Sequence, residues 1–192
     1  MTGTTTSSAA ANFHDAVELG KAVIDDMSSV RHLHAFSAKK LAAGMLSESE
    51  IVAFAAHIYT EGYSSRMAEL VLAQRLSAAR LGNELLGTAG WTPANDSGSV
   101  ARMIGVFVSP LYAQRGIGRR LIEAAEGQAR QAGFTVFTMR APLGASGFFE
   151  RLGYSVASHG AWPLTREVSL PVAFLRKTDP VPLRPALRAV DN

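Results

Sequence analysis

Gly116 and Gly118 stand two residues apart inside the string VFVSPLYAQRGIGRR (residues 106–120), with Arg115, Arg119 and Arg120 around them. The chemistry this spacing suggests is the holding of a phosphate. A helix opening at such a glycine pair presents unpaired N–H groups and a partial positive charge. Lacking side chains, the two glycines let an anion approach those amides. Three arginines in a first helical turn oppose the helix dipole by roughly a few tenths of a kcal/mol each, a cost that a bound polyanion removes. For the glycines alone, a capped and solvated helix start explains the pattern equally well.

The flanking residues supply the elements such a loop needs. A β-branched and aromatic strand end runs to Val108, and Pro110 marks a turn. Beyond the glycines, Ile117, Leu121, Ala125 and Ala129 recur at spacings of four and form one apolar helical stripe. Gly133 sits where a C-cap glycine belongs, and residues 134–139 read as a strand. Strand, turn, helix and strand make a βαβ unit with parallel strands. Three nucleotide-binding readings compete for it. A phosphate-binding loop of the Lys-Ser/Thr type fails because Arg119 follows Gly118. A dinucleotide fingerprint needs a third glycine and an acid about twenty positions on, where Leu121 and Arg140 stand. An acyl-CoA pyrophosphate site fits.

Two stretches carry a family resemblance. Ala113-Gln114-Arg115-Gly116-Ile117-Gly118, preceded by Pro110-Leu111-Tyr112, resembles the cofactor signature Arg/Gln-x-x-Gly-x-Gly/Ala of the GNAT N-acetyltransferases. Ala113 departs from the usual first position. Some thirty residues later, Ala145-Ser146-Gly147-Phe148-Phe149-Glu150-Arg151-Leu152-Gly153-Tyr154 resembles that family's Ala-x-x-Phe-Tyr-Glu-Arg-Leu-Gly-Phe segment.

The resemblance implies an α/β fold with a mixed sheet of about seven strands flanked by about four helices, over roughly residues 16–177. It also implies an acetyl-CoA-dependent N-acetyltransferase working by direct attack in a ternary complex, and the absence of cysteine agrees with the lack of an acyl-enzyme thiol. The pantetheine arm would pair with the backbone of Val106, Phe107 and Val108 like an added strand, with the Val108 N–H as oxyanion donor. The pyrophosphate would meet the amides from Arg115 to Arg119, with the arginine side chains, Arg120 included, reaching it or the 3′-phosphate. Ser146 and Phe149 would lie beside the pantetheine. Phe149 occupies the position of the family's usual Tyr acid, and Tyr154 stands where Phe is normal. Glu61, Glu84 and His159 are candidate bases because they border the expected substrate groove; a water chain is an equal alternative. Tyr59, Tyr63 and Trp91 are candidate acceptor-lining aromatics. The acceptor expected is a small primary amine; a CoA-binding module without turnover, or a protein or peptide acetyltransferase, are the alternatives. Dimers are common in the family, so a homodimer is a further expectation.

Composition narrows the class. The chain has 192 residues, 47% of them apolar, a net charge of +3 and no cysteine. That suits one domain with a sizeable core, spanning about residues 12–178, between a disordered tail (1–11) and a proline-containing tail (179–192). No run approaches the ~18 apolar residues of a membrane helix, and no signal peptide is visible. A cytoplasmic address is the default for a chain without cysteine. The basic residues are scattered among acids and not interleaved with aromatics, which argues against nucleic-acid binding. No metal site is expected: His32 and His34 are two apart on a helix and face different ways. His57 reads as half-buried structure. Ser37-Ala38-Lys39-Lys40 reads as a chance match, and Gly144-Ala145-Ser146-Gly147 is no nucleophile elbow.

The remaining elements follow from local signals. A first strand is expected near 16–22, then a helix capped by Asp25 or Asp26 and running to about Phe36. Ser47-Glu48-Ser49-Glu50 is a capping box opening a helix with Ile51, Phe54 and Ile58 on one face. Strands are expected near 70–76, 85–92 and 100–108, with turns at Gly82-Asn83 and at residues 95–98. A short helix at 145–152 precedes strands near 154–158 and 168–176.

Overall fold

The computed structural model describes residues 13–41, 44, 46–94 and 99–179. The expected tail at 1–11, the expected tail at 179–192 apart from Asp179, and the turn at 95–98 lie outside them. Seven strands form one sheet: β1 (Val17–Lys21), β2 (Leu76–Leu81), β3 (Glu84–Pro93), β4 (Val100–Val108), β5 (Val136–Pro142), β6 (Ser155–Pro163) and β7 (Ser169–Thr178). Their order is β1-β2-β3-β4-β5-β7-β6, and every pairing is antiparallel except β4 with β5. The parallel pair is the one the βαβ pattern requires.

Five helices flank the sheet among the described elements: α1 (Met27–Leu41), α2 (Glu48–Ile58), α3 (Glu61–Leu72), α4 (Ile117–Gln131) and α5 (Ser146–Glu150). Residues 13–16 add a helical turn before β1. This exceeds the four helices expected, and α3 is the reason. The strand expected at 70–76 is the end of α3 followed by the entry to β2. Tyr63, Met67 and Leu70-Val71 form a helical stripe, and Thr60 caps it by accepting from the Tyr63 N–H at 3.3 Å. Gln74, at φ 57°, then turns the chain so that the strand begins at Leu76. The capping box at Ser47 forms as expected, with Ser47 N–H donating to Glu50 at 2.7 Å and Glu50 N–H to Ser47 Oγ at 3.3 Å.

Two cores separate the helices. The α4 side buries Ala89, Trp91, Met103, Phe137 and Met139 against Leu121, Ile122 and Ala125. The opposite face packs Leu76 and Ala78 on Met67 and Val71 of α3, and Leu170 and Val172 on Phe54 and Ile58 of α2. Alternation along each strand thus decides which face a side chain serves. On the α4 side Glu126, 1% exposed, gathers Lys177 at 2.7 Å, Arg130 at 2.8 Å and the Tyr154 hydroxyl at 2.8 Å. Arg130 also holds Asp179 at 2.5 Å, which fastens the end of β7 to α4.

Candidate active site

The site begins with an irregularity in β4. Thr88 pairs with Phe107 but Gly90 pairs with Ile104, so β4 carries one extra residue. Gly105, at φ 65°, absorbs it in the left-handed region that glycine favours. The bulge inverts the side-chain phase. Before it Met103 faces α4; after it Val106 and Val108 do, while Phe107 turns to the opposite face.

Beyond the bulge β4 also loses a neighbour. β5 pairs with it only at Val100, Ala101 and Arg102, so the two strands diverge and leave a wedge beside residues 106–108. The Ser109 N–H bonds to Leu86 O at 2.7 Å. In an antiparallel ladder the adjacent residue then turns its own polar groups the other way. The Val108 N–H and C=O accordingly point away from β3 into the wedge. Ser37 of α1 confirms the direction for the carbonyl, donating to Val108 O at 2.9 Å.

A buried polar chain holds the bulge. Thr88 Oγ1 donates to Gly105 O at 2.6 Å, so its lone pair accepts from His34 Nε2 at 2.7 Å. His34 Nδ1 is then the bare nitrogen and accepts from the Tyr63 hydroxyl at 2.7 Å. Burial lowers the His34 pKa from 6.5 to about 3 and raises that of Tyr63, so both are neutral in the folded protein. The His34 ring also stacks on Phe107, centroids 4.2 Å apart. The sequence signal for this is the placing of His34 four residues from both Val30 and Ala38, on the buried face of α1. Thr88→Val will leave His34 Nε2–H and Gly105 O without partners. We expect it to lower stability by about 1–3 kcal/mol, read as a lower urea midpoint at constant m.

The glycine-pair loop, the expected anion loop, follows β4 directly. Pro110–Tyr112 form a 3-10 turn, Gln114 takes φ 61° and Gly116, at φ 75°, is the N-cap of α4. Gly118 faces the wedge: a Cβ there would meet the Phe148 ring tip at 3.0 Å and Val108 Cγ2 at 3.5 Å. A Cβ on Gly116 would lie 3.1 Å from His14 Cε1. His14 is therefore a loop neighbour that sequence reading missed.

The arginines differ in availability. Arg115 stacks on Phe13, 4.8 Å from its ring centroid, with Phe13 in turn on Tyr112. Arg119 makes an exposed pair with Glu123 at 3.4 Å. Arg120 donates to the carbonyls of His14 at 3.1 Å and Val17 at 2.9 Å, which ties its guanidinium to the start of β1. Ala113 and Ile117 bracket the loop, Ile117 being buried. Ser146 opens α5, and Phe149 is buried against Tyr154. The Tyr154 phenol is committed to Glu126 and its pKa is raised, chiefly by burial and then by that carboxylate.

On the other face, four elements converge at the wedge. Tyr63, Phe107, His57 and Trp162 form an aromatic wall: His57 meets Trp162 at 4.9 Å and Tyr63 at 5.7 Å, and Phe54 meets Phe107 at 6.3 Å and Trp162 at 5.8 Å. The Arg140 guanidinium lies 3.7 Å from the Trp162 ring centroid. Burial first, then Arg140 and Arg66, lowers the His57 pKa, so its imidazole is neutral at neutral pH.

Five of the expected residues stand elsewhere. Trp91, 4% exposed, packs on Phe134 in the α4 core, on the face away from Tyr63. His159 stands opposite Ala173, which belongs to that same α4-side core, so it too lies across the sheet from Trp162. Glu84 accepts from the Tyr112 hydroxyl at 2.8 Å, beside the anion loop. Tyr59 is exposed at the C-cap of α2, and Glu61 is exposed in the first turn of α3. Among the described residues no cluster of His, Asp and Glu could hold a metal ion, and no helix is long and apolar enough to cross a membrane.

Comparison with known proteins adds three similar solved structures. One is a GCN5-related N-acetyltransferase from Rhodopseudomonas palustris, with 22% identity, TM-score 0.72, and 84% of this chain and 94% of that chain covered. Another is the PaiA N-acetyltransferase of Thermoplasma acidophilum in complex with coenzyme A, with 17% identity, TM-score 0.67, and 84% and 98% covered. YncA of Salmonella typhimurium, solved with its cofactor acetyl-CoA, has 16% identity, TM-score 0.61, and 89% and 99% covered. These likenesses show the fold. No curated protein matches the chain. A sequence model described as Acetyltransferase (GNAT) family matches residues 42–154. With more than half of its length so matched, the chain belongs to the GNAT family of acetyltransferases.

Proposed function

We propose that the protein transfers the acetyl group of acetyl-CoA to the primary amine of a small molecule by direct attack. The observation that carries this reading is the wedge between β4 and β5, with the Val108 N–H turned into it and Gly118 at its floor. A donor seated there has its pyrophosphate at the amides of residues 115–119 and its pantetheine along residues 106–108. The acceptor enters from the opposite face, past Tyr63, His57 and Trp162. Holding both reactants in one crevice converts a bimolecular reaction into an effectively unimolecular one.

The amine nitrogen bonds to the acetyl carbon, the carbon–sulfur bond breaks, and the electron pair leaves on sulfur. Val108 N–H donates to the carbonyl oxygen as it gains charge. His57, neutral at the crevice wall, accepts the proton that the ammonium must lose, directly or through water. No hydroxyl stands at Phe149, and the Tyr154 phenol is occupied by Glu126. Coenzyme A therefore departs as the thiolate, which a thiol pKa near ~8.5 permits. The cost is the absence of a general acid, worth about 10²–10⁴-fold, so turnover should be slow.

The test is free-thiol release from acetyl-CoA against small amines, amino acids, polyamines and peptides, with coenzyme A binding measured by calorimetry. Amine-dependent thiol release is expected. Coenzyme A binding without release by any amine would turn the reading toward a binding module, and absence of binding would remove it.

A further inference from the structure

The acceptor side of the wedge carries an excess of positive charge that no ion pair among the described residues neutralises. Arg102 stands opposite Thr138, so it shares a sheet face with Arg140 two residues further along β5. That face is the one bearing α1, α2 and α3, because Ile104 packs on the Leu70 cluster and Trp162 on the Phe54 cluster. Arg66 of α3 and Arg102 line a cavity of about 410 Å³ on this face, with Arg75, Thr92 and Ile104. Among the described residues, no carboxylate pairs with Arg66, Arg102 or Arg140. Glu69 borders the same cavity and makes no ion pair there. The three guanidinium groups repel one another: Arg140 ionises less readily than usual, through burial first and then through Arg102 and Arg66.

Isolated surface arginines need no explanation, but this arrangement differs in two ways. Arg140 lies over an indole, 3.7 Å from the ring centroid, and among the described residues its N–H groups make no hydrogen bond, so they can meet a planar oxyanion. The three also come from one helix and two strands on one face, near enough for Arg102 and Arg66 to act on Arg140, and for Arg140 and Arg66 to act on His57 of the aromatic wall. A polycation entering there meets repulsion, and an anion relieves it.

We propose that the acceptor amine carries an anionic group, a carboxylate or a phosphate, held by Arg140 together with Arg102 and Arg66. The aromatic wall of Trp162, His57 and Tyr63 then covers the body of the molecule, with its amine directed toward Val108. This assignment rests on the acetyl-transfer reading and narrows its substrate class.

Matched acceptors test it: phenylalanine, its carboxamide and phenethylamine; aminoethyl phosphate and ethanolamine; and spermidine. With saturating acetyl-CoA, the anionic member of at least one set should exceed its neutral partner in kcat/KM by about 10-fold or more, the scale of a charged hydrogen bond. Which set responds separates carboxylate from phosphate. Arg140→Gln and Arg102→Gln should shrink that ratio about 10-fold through KM, because they remove ground-state binding. Equal or better use of neutral amines or spermidine would overturn the assignment, as would variants that reduce both members of a pair alike. If no amine releases thiol, acetyl transfer itself fails, and calorimetry then decides the anion site alone. Binding of an anionic member to the coenzyme A-loaded protein, lost in Arg140→Gln, supports it; no binding of any of them overturns it.

Discussion

Gly118→Leu protein will fold and will not bind coenzyme A. A Cβ at this position already meets the Phe148 ring tip at 3.0 Å and Val108 Cγ2 at 3.5 Å, and both contacts are side-chain atoms. The larger side chain therefore pushes Phe148 across the wedge without striking backbone. Its cost to folding is that of overpacking a half-buried site, about 1–3 kcal/mol. Its cost to binding is greater, because the filled space is the path past the anion loop. We expect coenzyme A affinity to fall by at least about 100-fold, equivalent to ~2.7 kcal/mol. Gly127→Leu is the control on the same helix, since nothing lies within 4 Å of a Cβ there. Native affinity in Gly118→Leu, measured by calorimetry, would place the donor elsewhere.

The second large effect is acid lability centred on His34. Folding holds this imidazole neutral, with its pKa lowered from 6.5 to about 3 by burial. Between those values the unfolded chain binds a proton that the folded protein refuses. The stabilisation is thus complete above pH 6.5 and is lost as pH falls toward 3. At about 1.4 kcal/mol per pH unit, roughly 2–3 kcal/mol should be gone by about pH 4.5. No carboxylate compensates: the partners of the ring are Tyr63, Thr88 and Phe107. Urea unfolding at pH 7 and pH 4.5 should show this slope in the native protein and a flatter one in His34→Gln. That comparison cancels the smaller contribution of half-buried His57. Identical slopes would mean that protons enter elsewhere.

What the sequence made legible was local. The glycine pair, the stripe on α4, the capping box at Ser47 and the arms of the β3–β4 hairpin each lie within a few residues of their own signal. The family motifs added the mixed sheet of about seven strands, which no local pattern encodes. The strand expected at 70–76 failed because the apolar run at its start, Leu70 to Leu72, is short enough to suit either periodicity. The stripe from Tyr63 and the Thr60 cap decide for helix.

The acceptor crevice was illegible for a different reason. His57, Tyr63, Phe107, Arg140 and Trp162 come from five elements and meet only through the sheet order, so no spacing announces them. Arg120 shows the converse. It is adjacent in sequence to the anion loop, yet the path of residues 14–17 past α4 gives its guanidinium two carbonyls instead. Gly105 was a visible clue, since a lone glycine inside a strand pattern marks a bulge.

That bulge has a consequence for the register of β4. If Gly105 were drawn into the ladder at unchanged length, β4 would pair regularly with β3 but slip by one residue beyond Ile104. Pairing of the ladder would improve, yet every side chain beyond the slip would change sides. Phe107 would enter the α4 core, Val108 would face the acceptor, and the amide now aimed into the wedge would bond to β3. In this strand the residue left outside the ladder sets the working register.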